Sequence, residues 1–213
     1  MTRIDPISGA VLPEASLYEI DFDADFWTVH QYWLACEDPA RFPGVTPLPA
    51  NMTLEEVKPD SSFAKQMYWD VGGPWIWGDR RAYSDQQWVS YTSLPQFRQF
   101  KLFLKNGDLA GYAETSFSAE SRQAELEYFG MLPHAIGSKA GPAFLSQIIA
   151  KLWDGKPRRI RISTCTFDHP GAFRVYSRCG FERLSSHAQT VPNAVAARII
   201  SPQEIQIRRN LLR

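Results

Sequence analysis

The stretch Glu125-Leu126-Glu127-Tyr128-Phe129-Gly130-Met131-Leu132-Pro133, followed by Gly137-Ser138-Lys139-Ala140-Gly141, decides the reading of this chain. It reads as a strand that runs into a glycine-bearing turn and then a helix start. Free backbone N–H groups and the positive end of a helix dipole make such a junction a cradle for an anion. A second pattern lies downstream: Asp168-His169-Pro170-Gly171-Ala172, then Tyr176 and Gly180-Phe181.

Working outward, the spacing predicts a β-rich body. Phe97 to Leu104, the turn Asn106-Gly107 and Leu109 to Phe117 read as a hairpin, because Asn-Gly is a strong short-range hairpin signal. Arg122 to Leu132 is a third strand. Pro142 sits where a first helical turn tolerates proline, and Phe144, Leu145, Ile148, Ile149, Leu152 and Trp153 give the helix after it an apolar stripe. Ile160 and Ile162 alternate with polar residues in a strand ending near Thr166. A short helix is expected over about Pro170 to Arg178, with last strands from Phe181 onward and over Ala194 to Ile200. Ser201-Pro202-Gln203-Glu204 starts a terminal helix.

Upstream, Met52 to Val57 reads as a short strand and Ser61 to about Trp69 as a helix. Val71-Gly72-Gly73-Pro74-Trp75-Ile76-Trp77-Gly78-Asp79-Arg80 reads as a loop, and Ser84 with Gln87 makes a capping box for a helix through Tyr91. Residues 1–50 hold six prolines around Asp25 to Cys36, where Phe26, Trp27, His30, Trp33 and Leu34 share a stripe at helical spacing. The expectation is an N-terminal arm, 1–50, whose helix packs on a main domain, 51–213. The element order makes the class α+β with a mixed sheet.

Composition narrows the partners. The 213 residues carry 23 basic and 23 acidic side chains, so no broad positive field exists to attract nucleic acid. No apolar run reaches the ~18–20 residues of a membrane span. Cys36, Cys165 and Cys179 lack CxxC spacing and accompany no secretory signal, which points to a reduced, cytoplasmic protein. The four histidines show no metal-ligand spacing. Neither Gly-x-Ser-x-Gly nor Gly-x4-Gly-Lys-Ser/Thr is present.

The stretch from about 97 to 185 resembles the GNAT superfamily of acyl-CoA-dependent N-acyltransferases. Asp168-His169-Pro170 before Ala172 and Tyr176, with Tyr128 to Pro133 upstream and the Val71–Trp77 loop, resembles a bacterial subgroup of it. The resemblance implies a mainly antiparallel sheet flanked by helices, with an N-terminal extension. It also implies acetyl transfer from acetyl-CoA to a primary amine, on a small molecule or a protein, by direct attack on the thioester. A homodimer is compatible with it. The alternative is a GNAT-fold module that binds acyl-CoA or a partner protein without turnover.

The family's phosphate turn usually reads Gln or Arg, two residues, Gly, any residue, then Gly or Ala. That pattern falls on Ile136, Gly137, Ser138, Lys139, Ala140 and Gly141: the last glycine matches, while Ile136 replaces Gln/Arg and Lys139 replaces the middle glycine. A lysine in the first turn of a helix opposes the dipole by roughly 0.3–1 kcal/mol, and a bound pyrophosphate reverses that sign. Lys139 therefore neutralises the ligand, stands in solvent, or blocks the backbone approach that a glycine would permit.

By resemblance, Phe129, Gly130 and Met131 offer backbone groups to the pantetheine arm, with His169 and Ala172 beside it. An alkylammonium of pKa near 10 costs about 4 kcal/mol to deprotonate at neutral pH, so a base is useful. Glu125 stands at the family's spacing for a catalytic glutamate, and Glu127 lies two residues on, on the same strand face. One of them, acting through water, is the base candidate; otherwise both are surface carboxylates. Tyr176 matches the tyrosine that often protonates the leaving thiolate, or else it packs under the cofactor. Trp75, Trp77, Asp79 and Arg80 either wall an acceptor pocket, with Asp79 pairing the ammonium, or leave their tryptophans in the core.

Overall fold

Period-2 patterning and turn chemistry build most of the architecture. The computed structural model describes residues 3–4, 11–12, 20–194 and 200–212. In chain order the elements are β1 (Arg3–Ile4), β2 (Val11–Leu12), β3 (Phe26–Cys36), β4 (Met52–Val57), α1 (Ser61–Gly72), α2 (Asp85–Thr92), β5 (Arg98–Leu104), β6 (Leu109–Ser118), β7 (Gln123–Met131), α3 (Gly141–Trp153), β8 (Arg159–Cys165), α4 (Ala172–Arg178), β9 (Glu182–Pro192) and α5 (Pro202–Leu211). β1 and β2 pair with each other. The main sheet runs β4-β5-β6-β7-β8-β3-β9, antiparallel throughout except for the parallel pair β7–β8.

The Asn106-Gly107 turn closes the β5–β6 hairpin, with Gly107 at φ 90° and the Leu104 N–H donating to Asp108 O at 2.8 Å. The expected helix over Asp25–Cys36 is corrected: Phe26–Cys36 form β3, lying inside the sheet between β8 and β9. Tyr32, Leu34 and Cys36 enter the core on one face while Trp27 is buried on the other. A strand covered on both sides loses its alternation, and β-branched Thr28 and Val29 fit the pleat better than a helix. The expected loop from Val71 is also shifted. α1 continues through Gly72, and a 3-10 turn covers Gly73–Trp75. Of the strand expected over Ala194–Ile200, residues 195–199 lie outside the described residues.

Two faces are packed. On one, α3 buries Phe144, Leu145, Ile148 and Ile149 against Leu102, Leu126, Ile160 and Ile162, with α4 adding Phe173 and Tyr176. Burying a side chain of this size contributes about 1.5–3 kcal/mol. On the other face, α1 and α2 set Ala64, Met67, Tyr68, Val71 and Trp88 against Tyr112 and Tyr128. Beside them α5, started by the Ser201/Glu204 capping box, packs Ile205 with Trp27, Ile76 and Ile200. Among the described residues no helix is long and apolar enough to cross a membrane.

Candidate functional site

β7 and β8 pair only from Gln123 to Leu126 against Arg159 to Ile162. Beyond that point β7 stays with β6 and β8 stays with β3, so the two central strands separate. The edge of Phe129–Met131 that faces away from β6 pairs with no strand among the described residues. A wedge with free backbone groups thus opens in the middle of the sheet.

The turn after β7 is where the anion cradle is expected. Gly137 (φ 86°) and Lys139 (φ 64°) both adopt the left-handed conformation, and α3 begins at Gly141 without a side-chain cap. Among the described residues, the N–H groups of Gly137, Lys139, Gly141 and Ala143 have no hydrogen-bond partner, whereas that of Ala140 reaches Ser138 Oγ at 3.4 Å. Lys139 is exposed, Ile136 half-buried, and Gly137 and Ser138 lie in solvent. Unpartnered N–H groups at the start of a 13-residue helix, with an ammonium beside them, fit a pyrophosphate. The left-handed lysine costs about 1–2 kcal/mol in backbone strain, which a glycine would avoid.

A β-bulge shapes the opposite face. Glu114 pairs with Tyr128 and Thr115 with Leu126, leaving Glu127 as the extra residue on β7. Strict alternation would carry Glu125, Glu127, Phe129 and Met131 to one face. The bulge keeps both glutamates on the α1–α2 face and turns Phe129 and Met131 toward α3, where the Phe129 and Phe144 rings lie 4.9 Å apart. Ser116 Oγ donates to Glu127 Oε1 at 2.6 Å. Burial, then the Glu127 charge, pushes the Glu125 carboxyl above its ordinary pKa, with Arg161 acting against them.

Arg80 lies inward from these glutamates. Its guanidinium lies 3.5 Å from the Tyr91 ring centre and 4.7 Å from that of Tyr128. Carboxylate oxygens of Glu127, Asp79 and Glu114 stand 3.5, 3.8 and 3.9 Å away. The Tyr128 hydroxyl donates to Asp79, as does that of Tyr68 at 3.1 Å. Glu114 is fully buried; its Oε2 accepts from the Tyr91 hydroxyl at 3.0 Å, and burial raises its pKa to about 7 despite Arg80.

No protein-family model matches the chain, and no curated protein matches it in sequence. Solved structures do. A GCN5-related N-acetyltransferase (GNAT) from Sphaerobacter thermophilus superposes with a TM-score of 0.62 at 15% identity, over 78% of this chain and 52% of that one. This chain has the GNAT fold. A tandem GNAT protein from the clavulanic acid biosynthesis pathway superposes at TM-score 0.53 and 18% identity, over 80% of this chain and 55% of its own. Spermidine N-acetyltransferase from Vibrio cholerae, in complex with CoA and spermine, gives 0.51 at 14% identity, over 68% of this chain and 98% of its own. The chain thus spans about half the length of the first two.

Within the GNAT fold the expected residues fall into three groups. Glu125, Glu127, Trp77, Asp79 and Arg80 converge on the α1–α2 face, where Trp77 packs on Tyr128 with ring centres 4.7 Å apart. Tyr176 lies on the other face, buried in the α3–α4 core with its ring 6.3 Å from Phe181. Trp75 and His169 form a third group with ring centres 5.4 Å apart. The Gly171 N–H donates to His169 Nδ1 at 2.9 Å, which requires a neutral imidazole; partial burial, then Arg208 and Arg174, lowers its pKa. The Ala172 N–H is committed to His169 O at 2.8 Å.

Two residues escaped the sequence reading. Glu114 interrupts the buried run of β6, and a carboxylate inside such a run is a legible signal. Arg208, fully buried on α5, donates to the carbonyls of Phe167 and, at 3.4 Å, of Thr166, and sits 5.1 Å from the Trp75 ring centre. Burial pushes its pKa down to about 10. Nothing in its helical, charged surroundings marks it in the sequence.

Proposed function

We propose that this chain is an N-acyltransferase that moves an acetyl group from acetyl-CoA to a primary amine, in the cytoplasm, by direct attack on the thioester. The observation that carries this reading is the wedge opening after Leu126 and Ile162 beside the unpartnered N–H groups of the 137–143 turn. Backbone groups of Phe129, Gly130 and Met131 would hold the pantetheine arm, and the turn with Lys139 would hold the pyrophosphate. The neighbour crystallised with CoA and spermine supports a CoA donor and an amine acceptor.

In this reading the acceptor ammonium gives its proton, through water, to Glu125 or Glu127. Burial raises the Glu125 pKa, which makes it a stronger base than an exposed carboxylate. The free amine attacks the thioester carbonyl, the tetrahedral adduct expels the CoA thiolate, and the Tyr176 phenol protonates that thiolate. In this reading the base works from the α1–α2 face of the sheet and the acid from the α3–α4 face. Trp77 and Asp79 border the acceptor side.

Calorimetric titration with acetyl-CoA, free CoA and dephospho-CoA tests the cradle, and a thiol-release screen with amines tests the chemistry. Micromolar binding that depends on the phosphates, with thiol release on adding an amine, is expected. A second reading, a non-catalytic acyl-CoA or partner-binding module, is favoured by the Lys139 side chain standing where the family pattern has glycine. Acetyl-CoA binding without thiol release for any amine would favour the acyl-CoA module, and absence of acetyl-CoA binding the partner-binding one.

A further inference from the structure

Arg80 is 9% exposed and Glu114 is 0% exposed, yet each keeps one polar atom without a partner. Arg80 Nη1 and Glu114 Oε1 are buried without a hydrogen-bond partner. Guanidinium–carboxylate pairs normally close to about 2.7–2.9 Å, often through two bonds. Here all three carboxylates stand off at 3.5–3.9 Å. The guanidinium is held by charge, by the Tyr91 and Tyr128 faces and by a contact with the Tyr91 hydroxyl, and none of the three carboxylates closes on it. Asp79 and Glu127 alone outweigh one guanidinium, with Glu114 adding a carboxyl that is only partly ionised at neutral pH, and acid plus aromatic walls are the chemistry that recognises an organic cation. Asp79, with 62% of its side chain exposed, stands where that cage meets solvent.

We propose that these walls form an organic-cation site whose built-in occupant is Arg80, and that Arg80 thereby sets the acceptor class. With Arg80 in place, the cage refuses the distal positive charge of a diamine or polyamine, and acceptors with a single ammonium are preferred. This rests on the amine-acylation reading, because the cage adjoins the wedge: Glu127 is two residues, about 7 Å of strand, from Phe129. In this proposal the Arg80 guanidinium takes the place of an acceptor's second ammonium.

The test is calorimetric titration of wild type, R80A and R80K with methylguanidinium and 1,4-diaminobutane, without acyl donor. R80A should bind both at least tenfold more tightly than wild type, R80K should bind neither, and R80A/E114Q should lose most of the gain. Binding by wild type as tight as by R80A, or none by either, overturns the proposal. If R80A does not fold in buffer, recovery of a cooperative melting transition with saturable dependence on methylguanidinium supports the site, and no recovery overturns it. Failure of the acylation reading is a separate result: R80A would bind cations while no variant released thiol. Thiol release by R80A with an unchanged preference between monoamine and diamine, and no cation binding, would sink the cage alone.

Discussion

The indole N–H of Trp77 donates to Asp168 Oδ1 at 3.3 Å, joining the turn after α1 to the end of β8 across 91 residues of chain. The same carboxylate accepts from Thr164 Oγ1 at 2.7 Å and from the Cys165 N–H at 3.1 Å. Burial raises the Asp168 pKa, and these three donors oppose it. D168A leaves all three unpaired at once and is expected to cost about 2–4 kcal/mol. W77F removes one of them and should cost about 1–2 kcal/mol. Urea denaturation measures both; a D168A midpoint equal to wild type would show that the tie is not structural.

Gly130 lets α1 approach β7, since a Cβ there would stand 2.3 Å from Val71 Cγ1. G130A should therefore destabilise by about 1–3 kcal/mol through overpacking. The double variant G130A/V71A should recover part of that loss, because the clash partner is gone. A double-mutant cycle reads the coupling. Strict additivity of the two changes would mean that the helix shifts instead of colliding.

Legibility followed burial. The β5–β6 hairpin and α2 were readable because Asn106-Gly107 and the Ser84/Gln87 box act locally, and both are formed. β3 was not, since Trp27 and Tyr32 are buried on opposite faces, and its apolar residues then fall at helical spacing as readily as at strand spacing. The site divides the same way. Gly137 to Gly141 and Glu125 to Met131 lie on contiguous chain whose turn and strand character local rules express. The bulge at Glu127 and the inward swing of Arg80 depend on partners far along the chain, Glu114 and Tyr91 among them. No periodicity encodes that meeting.

Glu114 makes stability depend on pH. Its folded pKa, about 7, lies above the ordinary 4.5 because of burial, with Glu127 adding to the rise and Arg80 and Tyr91 opposing it. A carboxyl raised on folding stabilises most below its unfolded pKa, and that contribution is lost as pH climbs through the folded one. Relative to E114Q, wild type should therefore lose about 3 kcal/mol between pH 4.5 and 7. Paired melts of the two proteins across that range isolate the group. A constant difference would mean that Glu114 titrates at its ordinary value.

Lys139 combines a left-handed backbone with a charge at the cradle, and two substitutions separate them. K139G keeps the conformation and removes the charge; it should gain about 0.5–1 kcal/mol of stability from relief of strain, after the entropic cost of glycine. It should also bind acetyl-CoA several-fold more weakly if the ammonium meets phosphate. K139E should weaken binding further. Tighter binding by K139G than by wild type would instead identify the lysine side chain as an obstruction to the backbone N–H groups.

Tyr176 tests the direction of the chemistry. It is buried on the α3–α4 face, opposite Glu125 and Glu127, so under the proposed acylation losing its hydroxyl should disturb thiolate departure without touching amine deprotonation. Y176F retains the ring and its packing near Phe181. Its acetyl-CoA affinity should stay within about twofold of wild type, while turnover falls about 10²–10³-fold, the scale of a lost general acid. E125Q and E127Q should act differently, with the responsible base losing the acidic limb of the pH–rate profile. A Y176F enzyme with wild-type turnover would return the tyrosine to a packing role, and the thiolate would then leave unprotonated or take its proton from water.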